Sequence, residues 1–273
     1  MIYEVTPLNW QQLITNANRF ITYSFRGQSN FQWNLSTNLE RLALQNYKKL
    51  EYLANREFWI LTQFRRRAHN LLERSPTYDE LIEWLALLQH YGGPTRLLDF
   101  TDSLFLGLFF ACEGAREDAA VWMIDLFALL NAHAPMQEDE TIYHQKTQIL
   151  EIAKGYVGKD SDKGGILPIE PERLNERMSI QKGLSMFPMN INQTFMNNLK
   201  AQFDWKVIRY KRISFKRLLR TLHTKNAPHV IKLRIKAEWC PELLGVLNDM
   251  NINANSLFPG LDGFARSLRI HLA

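Results

Sequence analysis

The chain of 273 residues is 46% hydrophobic and 22% charged, an ordinary globular balance that predicts a sizeable core. Its 33 Lys and Arg against 28 Asp and Glu leave a net charge of +5, which permits an anionic partner without requiring one. No apolar run reaches the roughly 18 residues of a membrane helix, the first residues lack a signal-peptide core, and the only cysteines, Cys112 and Cys240, sit in apolar surroundings that fit reduced thiols rather than a disulfide framework or zinc site. A cytoplasmic protein with no membrane partner is expected.

In chain order, Ile21–Gly27 alternates Ile21, Tyr23 and Phe25 with polar positions, which predicts a strand with one buried face, stopped by Gly27, with Arg26 pointing the other way. From Asn38 to about Glu73, apolar residues (Leu39, Leu42, Ala43, Leu53, Phe58, Leu61, Phe64) recur at helical spacing and predict one or two helices. Thr77–Glu80 resembles a capping box opening a helix towards Tyr91, which Gly92-Gly93-Pro94 breaks. Thr95–Thr101 reads as a short extended segment, and Ser103 as the cap of a helix over Leu104–Arg116. Ala119–Leu126 reads as a buried strand. Residues 131–170 read as loops around a helix at Tyr143–Lys154. Arg177–Phe187 is expected to be a strand, with Gly183 at a bulge or close approach and Arg177, Ser179 and Gln181 on one face.

After Gln193 a basic helical pattern runs to about Lys225. Val230–Lys236 then alternates Ile231, Leu233 and Ile235 with Lys232, Arg234 and Lys236, predicting a strand with a wet, positive face. Pro241–Met250 closes as a helix. Between Lys200 and Lys236, twelve Lys or Arg face one acid, Asp204, so this segment carries +11 and the remainder −6. Without repeats or low-complexity linkers, the prediction is one α+β domain over residues 1–273, a small mixed or antiparallel sheet with flanking helices.

Three polar stretches hold the candidate chemistry. In Phe25-Arg26-Gly27-Gln28, the planar fork of Arg26 can hold a phosphate or carboxylate, and Gly27 leaves room for that anion to approach the backbone; the alternative is a structural Arg paired with an acid. In Gln89–Thr101, the groups of His90, Tyr91, Arg96, Asp99 and Thr101 are too dense to be buried unpaired, so they satisfy one another or line a cleft. Arg96 and Asp99 can form an internal ion pair, and His90 suits either a structural hydrogen bond or general-base work. The third stretch, Glu176–Phe187, lines up Arg177, Ser179 and Gln181, or else is an exposed edge. Walker A, GxGxxG, HExxH and GxSxG signatures are missing, and the seven His form no ligand pair of usual spacing, so no metal is expected.

These stretches carry a resemblance. FRGQSNFQWNLSTNLER, LALLQHYGGPTRLLDFTDSLFLGLFFAC, NERMSIQKGLSMFP and the ending from Val230 to Leu268 resemble, in that order, the bacterial FRG domain, named for its Phe/Tyr-Arg-Gly motif. The resemblance implies a cytoplasmic bacterial or phage-associated protein with a role in toxicity or antiphage defence. The order of strand-Arg-Gly, Thr-containing strand and later polar strand is also similar to the three-part site of ADP-ribosyltransferases, which implies NAD as substrate. On that likeness Arg26 and Gly27 hold NAD, Thr101 shapes the nicotinamide pocket, and Tyr91 or Phe100 stacks on the ring. Arg96 and Asp99 join the binding set and His90 the catalytic one. Gln181 stands where that family carries a Glu. A Gln can bond a ribose hydroxyl but brings no charge to a developing cation, so Asp99 or Glu176 would have to supply it. The competing classes are a nucleic-acid-binding module that uses residues 200–236 and a protein-interaction module without catalysis.

Overall fold

Short runs rich in β-branched and aromatic residues pair into one sheet, while apolar residues at helical spacing build the layers against it. The computed structural model describes all residues except Lys48, 137–139, 172–179, 181–182 and 269–273. The strands are β1 (Ile2–Thr6), β2 (Tyr23–Gln28), β3 (Leu98–Thr101), β4 (Ala119–Asp125), β5 (Ile166–Ile169), β6 (Gly183–Pro188), β7 (Tyr210–Ser214) and β8 (Val230–Ile235). The helices are α1 (Gln11–Thr15), α2 (Asn38–Tyr47), α3 (Leu53–Ala68), α4 (Leu81–His90), α5 (Leu104–Cys112), α6 (Leu126–His133), α7 (Ile142–Lys154), α8 (Phe195–Gln202), α9 (Phe215–Thr221), α10 (Cys240–Asp249), α11 (Ala254–Leu257) and α12 (Leu261–Ser267).

The strands lie in the order β5-β6-β3-β2-β4-β8-β1-β7. β1 runs parallel to both β7 and β8, and the other neighbours are antiparallel. The α+β, mixed-sheet expectation holds, on a sheet wider than the small one predicted. Because side chains alternate along a strand, each apolar strand feeds two layers. Val5, Phe25, Val121, Met123, Ile231 and Leu233 meet α5, α9 and α10 through Leu108, Phe215 and Leu243. Leu97, Leu167 and Phe187 meet α3, α4 and α7 through Leu61, Leu85 and Ile149. The register puts these two groups on the same side of the sheet, so one face carries two separate helical packs. On the opposite face Ile2, Phe100, Trp122, Ile124 and Met186 are covered by Phe195 and Leu199 of α8 and by Phe31 and Leu35 from the loop after β2. β4, central and buried along Ala119–Ile124, is the all-apolar strand its sequence predicts.

Several local expectations change. β2 starts at Tyr23 and runs through Gly27 to Gln28, leaving Ile21 exposed, while Ser24 is buried because both faces of this central strand are covered. Leu42 and Phe58 point outward rather than into the core. α4 begins at Leu81; Thr77–Glu80 is instead a turn in which the Thr77 N–H donates to Glu80 Oε2 at 2.5 Å. The chain leaves α4 through Gly92, whose φ of +79° a residue with a side chain adopts only at a cost. Residues 193–225 form no continuous helix. β1 presents an open edge, and Tyr210–Ser214 pairs with it in parallel, Ile2 against Tyr210 and Glu4 against Arg212, so sheet pairing overrides the local helical pattern. β1 itself, and β5 within the stretch read as loops, carry too little alternation to stand out as strands. Of the strand expected over Arg177–Phe187, β6 supplies Gly183–Phe187; Ile180 is helical rather than extended, and residues 177–179, 181 and 182 lie outside the described residues.

The face of β8 read as wet is largely dry. Lys232 is 3% exposed, its Nζ 4.6 Å from the ring centres of both Phe31 and Trp122, and it donates to the Trp33 carbonyl at 3.1 Å. Burial pushes its pKa down to about 8. Arg234 stacks on Phe31 at 3.7 Å and donates to Asp118 at 3.0 Å. The loop after β2 laid over this face is what the alternation of β8 alone cannot reveal.

Candidate functional site

The sheet splits at its middle. Phe25 against Thr101 is the one register pair between β2 and β3; beyond it Arg26, Gly27 and Gln28 pair with β4, while Leu98, Asp99 and Phe100 pair with β6. Over this gap, and between the two helical packs, lies a cleft of about 460 Å³. Phe25, Arg26, Gly27, Asp99, Thr101, Gly183 and Ser185 line its sheet side. Gln89 and His90 from the end of α4 form one wall, and Phe110 of α5, Glu113 and Arg266 the other.

Arg26 spans the split. Its Nη1 donates to the Asp99 carbonyl at 2.7 Å, and its Nε is shut off from solvent with no partner among the described residues. Burial holds the guanidinium pKa below its ordinary value; Asp99 opposes that shift and nearby Arg41 adds to it. Arg41 is exposed and donates to the Ser36 carbonyl at 2.6 Å. The Asp99 carboxylate is exposed and accepts from Gln89 Nε2 at 2.5 Å and from Ser185 Oγ at 3.3 Å. Gln89 in turn accepts from the Thr95 hydroxyl, so α4, β3 and β6 are tied together at the cleft. Thr101 is buried, and its Oγ1 accepts from the Ser103 N–H at 3.2 Å, just before Ser103 caps α5 by accepting from Leu106. His90 sits in the last turn of α4, its ring 5.1 Å from that of Tyr91 at 78°.

Thus Arg26, Gly27, His90, Asp99 and Thr101 converge on one cleft. Gln181, Arg177, Ser179 and Glu176 lie outside the described residues. Three expectations are corrected. Arg96 is not at the cleft and does not pair with Asp99: 1% exposed, it donates from Nε to Glu57 Oε1 at 2.7 Å and from Nη2 to Glu57 Oε2 at 2.5 Å, beneath the Phe187 ring at 4.7 Å. Such a bidentate pair, with Glu57 also accepting from the Gly158 N–H at 2.9 Å, is a core tie between α3 and the start of β3. Gly27 borders the cleft, but the space beside its Cα belongs to α5 rather than to an anion. A Cβ there would come within 3 Å of the Gly107 oxygen, the Ala111 nitrogen and the Phe110 carbonyl carbon. Tyr91 is 63% exposed and stands off the cleft lining.

Sequence reading overlooked Ser185 and the pair Glu113–Arg266. Arg266 donates from Nε and Nη2 to both Glu113 oxygens and stacks on Phe258 at 4.1 Å. The partners are 153 residues apart, so no spacing could link them.

The family model of the FRG domain matches residues 21–120. An FRG domain is present. Its matched stretch supplies Arg26, Gly27, Gln89, His90, Asp99, Thr101, Phe110 and Glu113, the greater part of the cleft, whereas Gly183, Ser185 and Arg266 follow it in the chain. The Arg-Gly of the FRG motif therefore lies at the point where the sheet splits. No curated protein and no solved structure matches the chain.

Proposed function

We propose that the cleft of the FRG domain binds NAD and transfers its ADP-ribose, in the toxic or antiphage setting that the family resemblance implies. The observation that carries this reading is Arg26. A guanidinium with a dry, unpartnered Nε beside a second guanidinium gains both an acceptor and a countercharge when a phosphate oxygen docks, and a dinucleotide brings two phosphates. About 460 Å³ lies in the range of small-molecule and cofactor sites. Thr101, paired across the split with Phe25 and lining the same cleft as Arg26, would border the nicotinamide end.

Transfer breaks the bond between ribose C1′ and the nicotinamide nitrogen. Nicotinamide leaves neutral, the acceptor's nucleophile bonds to C1′, and its proton passes to His90 acting as base. Positive charge grows on the ribose meanwhile, and Asp99 is the carboxylate placed to face it, a role the uncharged Gln181 cannot fill. Purified protein incubated with labelled NAD and bacterial extract tests the reading: label transfer or nicotinamide release is expected, reduced by about 100-fold or more in Arg26→Ala. Absence of both products with the wild-type chain, or equal activity in Arg26→Ala, refutes it.

A further inference from the structure

The sheet face that carries α8 is left open at its β7 end. There Thr6, Arg212 and Ser214 are exposed, and a hollow of about 230 Å³ is lined by Glu4, Thr6, Phe31, Arg212, Ile213 and Arg234. Two aromatic residues adjoin this face: Tyr210, 42% exposed, whose hydroxyl donates to Asn34 at 3.0 Å, and Trp33, 54% exposed, whose backbone carbonyl accepts from Lys232. The cations around them exceed the acids. Arg234 is matched by Asp118 and Glu4 faces both Lys232 and Arg212, but Arg212 touches Glu4 only at 3.5 Å with its side chain 85% exposed. Arg209, on the approach to the same edge strand, is exposed, and no ion pair among the described residues holds it, whereas Lys211, paired with Tyr3, alternates to the opposite face.

We infer that this surface binds single-stranded nucleic acid, with Arg209 and Arg212 on phosphates and Trp33 and Tyr210 as stacking platforms. A merely solvated basic face has no need of two half-exposed rings among its cations, one of them anchored through its hydroxyl. Base stacking uses those rings and phosphates use the guanidiniums, whereas a duplex hides its base faces and an acidic peptide satisfies only the charges. The inference does not depend on NAD chemistry in the cleft. It does connect to it in space: Arg212, Glu4, Lys232, Trp122 and Arg26 stand in register across β7, β1, β8, β4 and β2, four interstrand spacings or about 19 Å.

The test is fluorescence anisotropy with a labelled 12-nucleotide RNA and the DNA of the same sequence, titrated at several salt concentrations. Affinity should fall with salt, and Arg209→Ala/Arg212→Ala should flatten the log–log slope by about 1.4, at about 0.7 for each phosphate no longer neutralised. Trp33→Ala should weaken binding about 10-fold with the slope unchanged, since stacking carries no counterions. Lys216→Ala/Arg220→Ala, on α9 against the other face, should bind within about two-fold of wild type. Arg26→Ala should also bind normally, which separates this surface from the cleft. A flat salt dependence overturns the inference. So does the α9 variant losing as much as the β7 variant, or inorganic polyphosphate competing equally against wild type and Trp33→Ala with no stacking loss.

Discussion

Replacing Gly27 by Ala separates the two residues that the FRG motif places side by side. The added methyl would lie within 3 Å of three backbone atoms of α5, including the Phe110 carbonyl carbon at 2.8 Å, where ordinary carbon separations are about 3.5–4.0 Å. No side-chain rotation relieves a clash with backbone, so α5 must retreat from β2 by roughly 1 Å. That helix buries Leu104, Leu106, Leu108, Phe109, Ala111 and Cys112, and its displacement loosens the whole pack. Overpacking typically costs about 1–3 kcal/mol, and a backbone obstacle puts Gly27→Ala at the upper end, about 3 kcal/mol. Gly107→Ala is the control. Its methyl would meet Phe25 Cβ at 3.0 Å and Val121 Cγ1 at 3.3 Å, and a helix-interior Gly→Ala gains up to about 1 kcal/mol, so the two nearly cancel. Arg26→Ala removes one hydrogen bond to Asp99 but also a desolvated charge, and should change stability by less than about 1 kcal/mol. Urea unfolding followed by tryptophan fluorescence, analysed at constant m, reads all three. A Gly27→Ala chain as stable as wild type, or one less perturbed than Gly107→Ala, would refute the packing role and return Gly27 to the ligand.

Two further predictions concern charges in the core. Arg96→Met strands the Glu57 carboxylate in a dry site and should cost about 3–5 kcal/mol in the same urea assay, with Arg96→Met/Glu57→Met recovering part of the loss; reduced NAD affinity with unchanged stability would instead place Arg96 at the cleft. Lys232 is lowered from 10.5 to about 8 when folded, so between those pH values the unfolded chain holds a proton that the folded chain has released, and this group makes stability rise with pH across the window. Lys232→Met lacks that rise, so relative to wild type it should lose about 3 kcal/mol between about pH 7 and pH 10.5; parallel stability–pH curves for the two chains would contradict the burial account.

What could be read from the sequence was local chemistry at element ends. Ser103 capping α5, the Gly92 break and the apolar run of β4 each follow from a few neighbouring residues, and each stands where it was expected. The convergence of Arg26, His90, Asp99 and Thr101 was legible as a density of polar groups that burial alone would penalise. Partner choice was not legible. Arg96 and Asp99 are close neighbours in the chain, yet Arg96 turns into the core to meet Glu57 from α3 and Asp99 faces the cleft. Which way each turns is decided by α3 and β6, elements far from both in sequence. β7 was lost for a related reason: its residues favour a helix until β1 offers them an edge.

The alternation of β8 placed Lys232 correctly on the face opposite Ile231 and Leu233, but whether that face is wet depends on what the loop after β2 does far earlier in the chain. That loop follows directly on Arg26, Gly27 and Gln28, lays Phe31 over Lys232 and Arg234, and hands its carbonyl at Trp33 to the buried ammonium. The same segment therefore begins at the split in the sheet and ends at the open basic face. A net charge of +5 says nothing of this arrangement, in which some of the positive charge sits inside the fold as Lys232 and Arg96, some is half-buried at the cleft as Arg26, and exposed cations gather on β7. Charge reversal at Arg212 and at Arg26 should consequently affect different ligands, although the two side chains stand in one row of the same sheet.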